Sequence, residues 1–524
     1  MVNSRRIALL APVGVAAIVI VNAWSGLMPG VGFWDTGEFQ TVLPIMGTAH
    51  PTGYPTYVLL GFLANIGLSP IGEPAFRITV LSLLAVAVAA AAAVVLVRRL
   101  TGSTIVGIAT GLGLATTPIV WINATRADPH PVHLAFVALL LLALVRWEQG
   151  RREAAGGELG QAQADRRLVL AAVLFGLAAG NHSLTLLLVP PVGLYVLAVE
   201  PGIWRRPRFV LTCLAAVVAT VVLIYLELPI RGGLVPASLI YGRPATWDGF
   251  WYIALAEQFR GSLSDPLADL SAKFDHLVTF ANAQLGLLTL TIPLAFVVVV
   301  KRAPRYALLT SLALVITALF NEAYANADIE RYYLGPALCL WTWIGMLAAE
   351  LADLTASLVA NLAPGPRPVD LEGPTARRTA VGVAAIVGVV LLVPALSSLD
   401  ARRGHADRSG DRGAIDWLAQ ALPAIPQDAV LVTWWSTSTP LWYAQKVEGL
   451  RPDITIVDDR TMLDEDLGRA PDVIRRYLGS RPVYAIRVEG RDLDELTGQF
   501  DMTLVASGGS TGVWAVHGLL TGAP

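Results

Sequence analysis

The sequence predicts an α-helical polytopic membrane protein with a small extracytoplasmic α/β domain at its C-terminal end, on three observations. First, 55% of the 524 residues are hydrophobic and only 15% charged, against about a quarter charged in soluble domains; lipid must solvate part of that apolar surface. Second, apolar runs recur near residues 7–23, 76–97, 103–120, 133–147, 168–180, 183–199, 209–228, 284–300, 306–320, 332–352 and 379–398. Third, from about residue 401 short β-branched runs alternate with helical patterns. The formal net charge of −2 marks no basic surface, and no nucleic-acid partner is expected.

Arg5 and Arg6 precede the first run, but Val21-Asn22-Ala23-Trp24 is a poor small-x-small cleavage site, so the run reads as an uncleaved first transmembrane helix. Basic clusters fall at Arg5/Arg6, Arg98/Arg99, Arg146 to Arg152, Arg166/Arg167, Arg205/Arg206/Arg208, Lys301/Arg302/Arg305 and Arg377/Arg378. With eleven spans every cluster lies on one side, which the positive-inside rule makes cytoplasmic. The stretch 168–199 then crosses twice, with Asn181 and His182 at its outer tip. Residues 53–68, begun by Pro51, Gly53 and Pro55, would invert this parity as a span; they are expected to form a helix in the outer interface. Residues 150–165 and the proline-rich 354–378 read as cytoplasmic linkers.

The expected organisation is a transmembrane domain over 1–400, with a first outer loop at 24–75, and an extracytoplasmic α/β domain over 401–524. In the latter, helix-like and strand-like segments alternate at 415–422, 429–434, 439–445, 454–457 and 482–488. It shows no Gly-rich phosphate loop and no Cys/His cluster, so an accessory role is expected. Cys213 and Cys339 sit in separate apolar runs and read as small hydrophobic fillers.

The polar residues crowd one side. The first outer loop carries Asp35 and Glu38, three residues apart and so on one helix face or one side of a turn. His50, Tyr54 and Tyr57 follow around a Pro/Gly-defined turn at headgroup level, where tyrosines also serve as interfacial anchors. Later outer ends bring Arg126, Asp128, His130 and His133, then Asn181 and His182, then Glu227 and Arg231, then Glu322, Asp328, Glu330, Arg331, Tyr332 and Tyr333. Each alone reads as a solvated loop charge. Together they cap the outer ends of several spans, while the inner ends carry mostly plain arginines, the pattern of a convergent site at a membrane surface. The Asn-x-Ser/Thr matches at Asn123 and Asn181 are chance-level.

Trp34-Asp35-Thr36-Gly37-Glu38-Phe39 and Ala49-His50-Pro51-Thr52-Gly53-Tyr54-Pro55-Thr56-Tyr57 resemble the Asp-Ser-Gly-Glu and Ala-His-Pro-Pro-Gly-Tyr-Pro signatures of a GT-C membrane glycosyltransferase family. This protein O-mannosyltransferase-like family includes bacterial proteins and the eukaryotic enzyme acting on plexin-type receptors. Phe175-Gly176-Leu177-Ala178-Ala179-Gly180-Asn181-His182 is similar to its Gly-Leu-x-x-x-Asn-His motif, and Tyr225-Leu226-Glu227-Leu228-Pro229-Ile230-Arg231 to its Tyr-Leu-x-Leu-Pro-Ile-Arg motif. The match runs in order over most of residues 30–340. It departs at Asp128-Pro129-His130, where the family often has Glu-Val-Tyr.

The resemblance implies a GT-C bundle of about eleven transmembrane helices in a bacterial plasma membrane. It implies an inverting transfer of one sugar, mannose or a similar hexose, from a polyprenyl-phosphate donor to a hydroxyl of an extracytoplasmic protein or glycan. Asp35 is then the general base, and Glu38 holds Asp35, an acceptor group or a neighbouring cation. Arg126, Arg231 and Arg331 are candidates for the phosphate, and His50, His182 and Tyr54 for neutral donors. Tyr57, Asp128, His130, Asn181 and Glu330 complete the expected substrate site. No cofactor and no metal are expected. The alternative is a transporter or flippase of a lipid-linked sugar, but the inverted repeats and midplane broken helices common in transporters are not evident in the sequence.

Overall fold

A computed structural model describes residues 2–362, 374–488, 490–508 and 511–520; residues 363–373 of the predicted linker 354–378 lie outside the described residues. The first helix, α1 (Val2–Trp24), leads into a loop with two helices of its own, α2 (Trp34–Ile45) and α3 (Pro55–Gly67). The chain then runs through α4 (Pro74–Thr101), α5 (Thr104–Ala115), α6 (Pro118–Ala124), α7 (Pro129–Ala155), α8 (Gln161–Asn181), α9 (Val189–Val199) and α10 (Pro207–Tyr225). Further helices at Leu270–Leu285, Ile292–Arg302, Pro304–Ala323, Leu334–Leu362 and Pro374–Ser397 complete this part. The apolar runs read from the sequence are largely helical, though 103–120 is divided between α5 and α6, and 284–300 between Leu270–Leu285 and Ile292–Arg302.

Among the described residues, eight helices are long and apolar enough to cross a membrane, or nine if the pair α5 and α6, bent by 67°, is one span. Ser183–Val199 is a shorter apolar helix, as is Pro55–Gly67, the segment expected in the interface. The protein is a multi-pass membrane protein. Its apolar residues form two populations: α4 and α7 are largely buried in the bundle, whereas α10 buries no residue and exposes Leu211, Leu214, Val218, Val222 and Leu223, as a lipid-facing helix does.

Local chemistry sets the helix ends. α4 stops at Gly102 in the left-handed region (φ 79°), with Arg98 and Arg99 in its last turn beside the negative end of the helix dipole. Ser103 caps α5 by accepting from the Val106 N–H.

The C-terminal part carries one five-stranded sheet in the order β2-β1-β3-β5-β4. β1 (Val430–Val432), β2 (Thr455–Val457) and β3 (Val483–Val488) are parallel, with Val430 opposite both Thr455 and Val483. β4 (Phe500–Gly508) and β5 (Thr511–Leu519) add an antiparallel hairpin. All five segments expected in this region coincide with elements. The hairpin is additional: two register shifts, at Asp501/Met502 and Leu504/Ala506, break the alternation that would mark β4 as a strand.

This part packs on the first loop. Val31, Phe33 and Ala75 share an apolar cluster with Trp417, Leu418 and Leu441. The Tyr443 hydroxyl accepts from the Ala75 N–H at 3.1 Å. A Cβ on Gly37 would meet the Gly32 carbonyl at 2.1 Å and Thr439 Oγ1 at 2.8 Å, so only glycine lets α2 lie between its own loop and helix Trp435–Trp442.

Candidate active site

The site is built on α2. The buried Gln40 ties the loop before it in place: its Oε1 accepts from the Gly32 N–H at 2.8 Å and its Nε2 donates to the Gly30 carbonyl at 3.0 Å. Trp34 opens the helix at φ 58°, a costly left-handed conformation for an aromatic residue and typical of functional loops. Its ring lies edge-on to Trp435 at 6.3 Å. Asp35 follows in the first turn, where the helix dipole favours a carboxylate.

Arg331 organises the acids. Its Nη2 donates to Asp35 Oδ2 at 2.6 Å and its Nη1 to Asp128 Oδ2 at 3.1 Å. Asp128 caps α7, accepting at Oδ1 from the His130 N–H (2.8 Å) and His130 Nδ1 (2.7 Å). Burial alone would raise the Asp35 carboxyl; the Arg331 guanidinium, aided by His50, outweighs it and holds the group below the usual carboxylate range.

Glu38 faces another partner. It is 1% exposed; Oε1 accepts from the His50 N–H at 2.8 Å and Oε2 pairs with His50 Nδ1 at 2.5 Å. His50 Nε2 lies 3.2 Å from the Tyr54 hydroxyl. Burial would pull the imidazole down, but the Glu38 carboxylate outweighs it and raises His50 above its ordinary value. Glu38 therefore holds His50 rather than Asp35 or an arginine.

His182 Nδ1 accepts from the Leu184 N–H at 3.1 Å, so its Nε2 carries the proton; that nitrogen has no hydrogen-bond partner among the described residues. The ring stands 4.6 Å from His130 and 5.4 Å from Tyr332. Arg126 donates to Asp328 Oδ2 at 2.6 Å and Asn123 Oδ1 at 3.0 Å.

These groups enclose a cavity of about 1110 Å³. Of the residues expected from sequence, Asp35, His50, Tyr54, Arg126, His182 and Arg331 line it. Glu38, Asp128, His130 and Asn181 stand behind that layer; Asn181 donates to the Pro129 carbonyl at 3.1 Å. Tyr57 is fully buried against Phe39, 5.3 Å between rings. Arg231 and Glu330 also stand off the cavity lining. Arg231 is outside the cavity: it donates to the carbonyls of Met46 (2.8 Å), Ile45 (3.1 Å) and Val235 (3.0 Å), because the unpaired carbonyls ending α2 attract its fork. Glu330 is exposed and is not among the cavity's lining residues.

Sequence reasoning missed the cavity's other wall. Trp435, Asp459 and Arg460 line it from the C-terminal part, and Tyr241 and Gln258 from the loop after α10. A signal existed: Trp435 and Arg460 follow β1 and β2, and ligands of parallel sheets gather outside the carboxyl ends of the strands. Reading it requires knowing that these strands are parallel neighbours.

Residues 35–202 match the family described as the Protein O-mannosyl-transferase TMEM260 N-terminal domain. Protein O-mannosyl-transferase TMEM260 of Mus musculus is 26% identical over 450 residues, covering 82% of this chain and 60% of the mouse protein; the chain thus spans about 60% of the length of that relative. The crystal structure of ArnT from Cupriavidus metallidurans bound to undecaprenyl phosphate shares the fold at a TM-score of 0.62, with 15% identity over 97% of both chains. The Archaeoglobus fulgidus oligosaccharyltransferase tethered with an acceptor peptide follows at 0.52, with 13% identity over 96% of this chain and 74% of that one.

The fold is that shared with ArnT and the Archaeoglobus fulgidus oligosaccharyltransferase. The motifs read from the sequence resemble those of protein O-mannosyl-transferases, and residues 35–202 are similar to the TMEM260 N-terminal domain.

Proposed function

We propose that this protein is an inverting glycosyltransferase. It moves one sugar, mannose or a similar hexose, from a polyprenyl-phosphate carrier to a hydroxyl on an extracytoplasmic protein or glycan. The observation that carries this reading is Asp35, which lines the cavity with one oxygen held by Arg331. The cavity lies at the loop end of the bundle, opposite Arg98/Arg99 at the end of α4 and Arg152 at the end of α7; by charge asymmetry that end is outside. A lipid-phosphate sugar has its tail in the bilayer and its reacting carbon at this level. ArnT, which shares the fold, is solved with undecaprenyl phosphate, which supports such a ligand.

The transfer forms a bond from the acceptor oxygen to the anomeric carbon and breaks the bond from that carbon to the phosphate oxygen. The hydroxyl proton goes to Asp35, and polyprenyl phosphate leaves. A carboxylate held ionised suits an oxocarbenium-like reaction, because the attacking hydroxyl grows acidic as the bond forms. His50, held by Glu38 and Tyr54, and the Nε2–H of His182 offer donors for sugar or acceptor hydroxyls. The C-terminal domain shapes the acceptor side through Trp435 and Asp459. The test is turnover of radiolabelled polyprenyl-phosphate mannose by purified protein, with the anomer of the product determined. Binding without turnover in the presence of protein or glycan acceptors, and transport of the lipid-linked sugar instead, would overturn the reading.

A further inference from the structure

Arg460 belongs to the C-terminal domain yet lies in the cavity wall, 9% exposed. It sits on helix Asp459–Asp464, whose first turn is capped by Asp458 accepting from the Thr461 N–H at 2.9 Å. Its guanidinium lies over the Tyr241 ring, 3.4 Å from the centroid. Nη1 donates to Gln258 Oε1 at 3.1 Å. Nη2 is 3.5 Å from Asp464 Oδ2, an ion pair without a formed hydrogen bond. Nε and Nη2 have no hydrogen-bond partner among the described residues. That oxygen of Asp464 is already engaged, accepting from the Gly242 N–H at 2.9 Å.

The phosphate cations expected from sequence are more fully engaged. Arg331 holds Asp35 and Asp128, and Arg126 holds Asp328 and Asn123, each leaving only its Nε buried without a hydrogen-bond partner among the described residues, and Arg231 holds three carbonyls; Arg460 leaves both Nε and Nη2. Two unpartnered donors on a buried cation leave room for an acceptor in addition to Asp464. Position selects which one. An inverting displacement puts the base and the leaving group on opposite sides of the anomeric carbon. Arg331 grips Asp35 and so belongs to the base side. Arg460 pairs with neither; it stacks on Tyr241, whose ring is 6.4 Å from that of His50.

We propose that Arg460 binds the phosphate of the polyprenyl-phosphate donor, and of the polyprenyl phosphate released, so that the C-terminal domain forms part of the donor site. This rests on the transferase reading above and reverses the expectation of a purely accessory domain. Stacking on Tyr241 orients the guanidinium plane, which a lysine cannot reproduce.

The experiment uses full-length protein in lipid nanodiscs, titrated with undecaprenyl phosphate and with neutral undecaprenol, alongside donor and acceptor KM. Arg460→Gln should weaken undecaprenyl phosphate binding about ten- to a hundredfold and raise donor KM. Undecaprenol binding and acceptor KM should not move. Arg460→Lys should recover only part of the loss. Should Arg460→Gln fail to fold, Arg460→Lys and Tyr241→Leu give the same readout. Unchanged undecaprenyl phosphate affinity in these variants overturns the proposal, and a raised acceptor KM alone would assign Arg460 to the acceptor instead. If the wild-type protein binds undecaprenyl phosphate no better than undecaprenol, the transferase reading itself falls, and this proposal with it.

Discussion

Asp35 and Glu38 lie one helical turn apart, and their partners separate their chemistry. Asp35 faces the cavity and is held by Arg331; Glu38 is buried behind His50. Asp35→Asn, nearly isosteric, should fold and bind donor but lose roughly 10²–10⁴-fold in turnover, the usual cost of a lost general base. Glu38→Gln should act through His50 and cost less in kcat; if it abolishes turnover while Asp35→Asn does not, the roles are exchanged. The Arg331 contact adds a pH signature. A carboxyl held low stays ionised until the pH falls through its depressed value, so wild-type activity should persist below the usual carboxylate range. Arg331→Gln removes the main lowering influence and leaves burial, so the acid limb of the pH–rate profile should move upward. An unmoved limb would mean that another group sets it.

At the scale of elements, α2 is positioned by packing that no substitution of similar polarity reproduces. Gly37→Ala puts a methyl 2.1 Å from the Gly32 carbonyl. Overpacking of this kind costs about 1–3 kcal/mol; the variant should melt earlier and lose activity together, since the same loop holds Asp35. The helix after β2 carries a second test. Burial raises Asp458 from 3.8 to about 6, only partly offset by its hydrogen bonds to Thr461. The folded domain thus keeps a proton that the unfolded chain has released, and stability should fall as pH rises between about 4 and 6. Asp458→Asn keeps the cap, so it should raise the melting temperature near neutral pH and flatten that slope. The helices of the bundle were legible because their apolar runs are long; hairpin β4–β5 was not, because its bulges interrupt the two-residue period.

For the whole molecule, the charge asymmetry predicts that the cavity and the C-terminal domain share one face of the membrane. A cysteine placed in residues 150–165 should resist a membrane-impermeant thiol reagent in intact cells, and one in residues 405–520 should be labelled. The opposite pattern would put the cavity on the cytoplasmic face. The docking of helix Trp435–Trp442 against α2 makes the two parts one site, so stability and donor binding should respond together to changes at that contact.

The amino-acid sequence by itself determined the membrane class, the positions of the apolar helices and the loop that carries Asp35, since long apolar runs, basic clusters and the Asp35–Tyr57 motifs are local in the chain. It also ordered the α/β segments after residue 401. Only the tertiary structure decided which polar residues meet. Arg331 reaches Asp35 across 296 positions, Arg231 turns to the carbonyls at the end of α2, and Arg460 enters from the helix after β2. Spacing along a chain says nothing about such contacts. A guanidinium's partner is set by which carboxylates and carbonyls remain unpaired where the folded chain brings it, and that balance exists only once the helix ends, the first loop and the sheet are packed together.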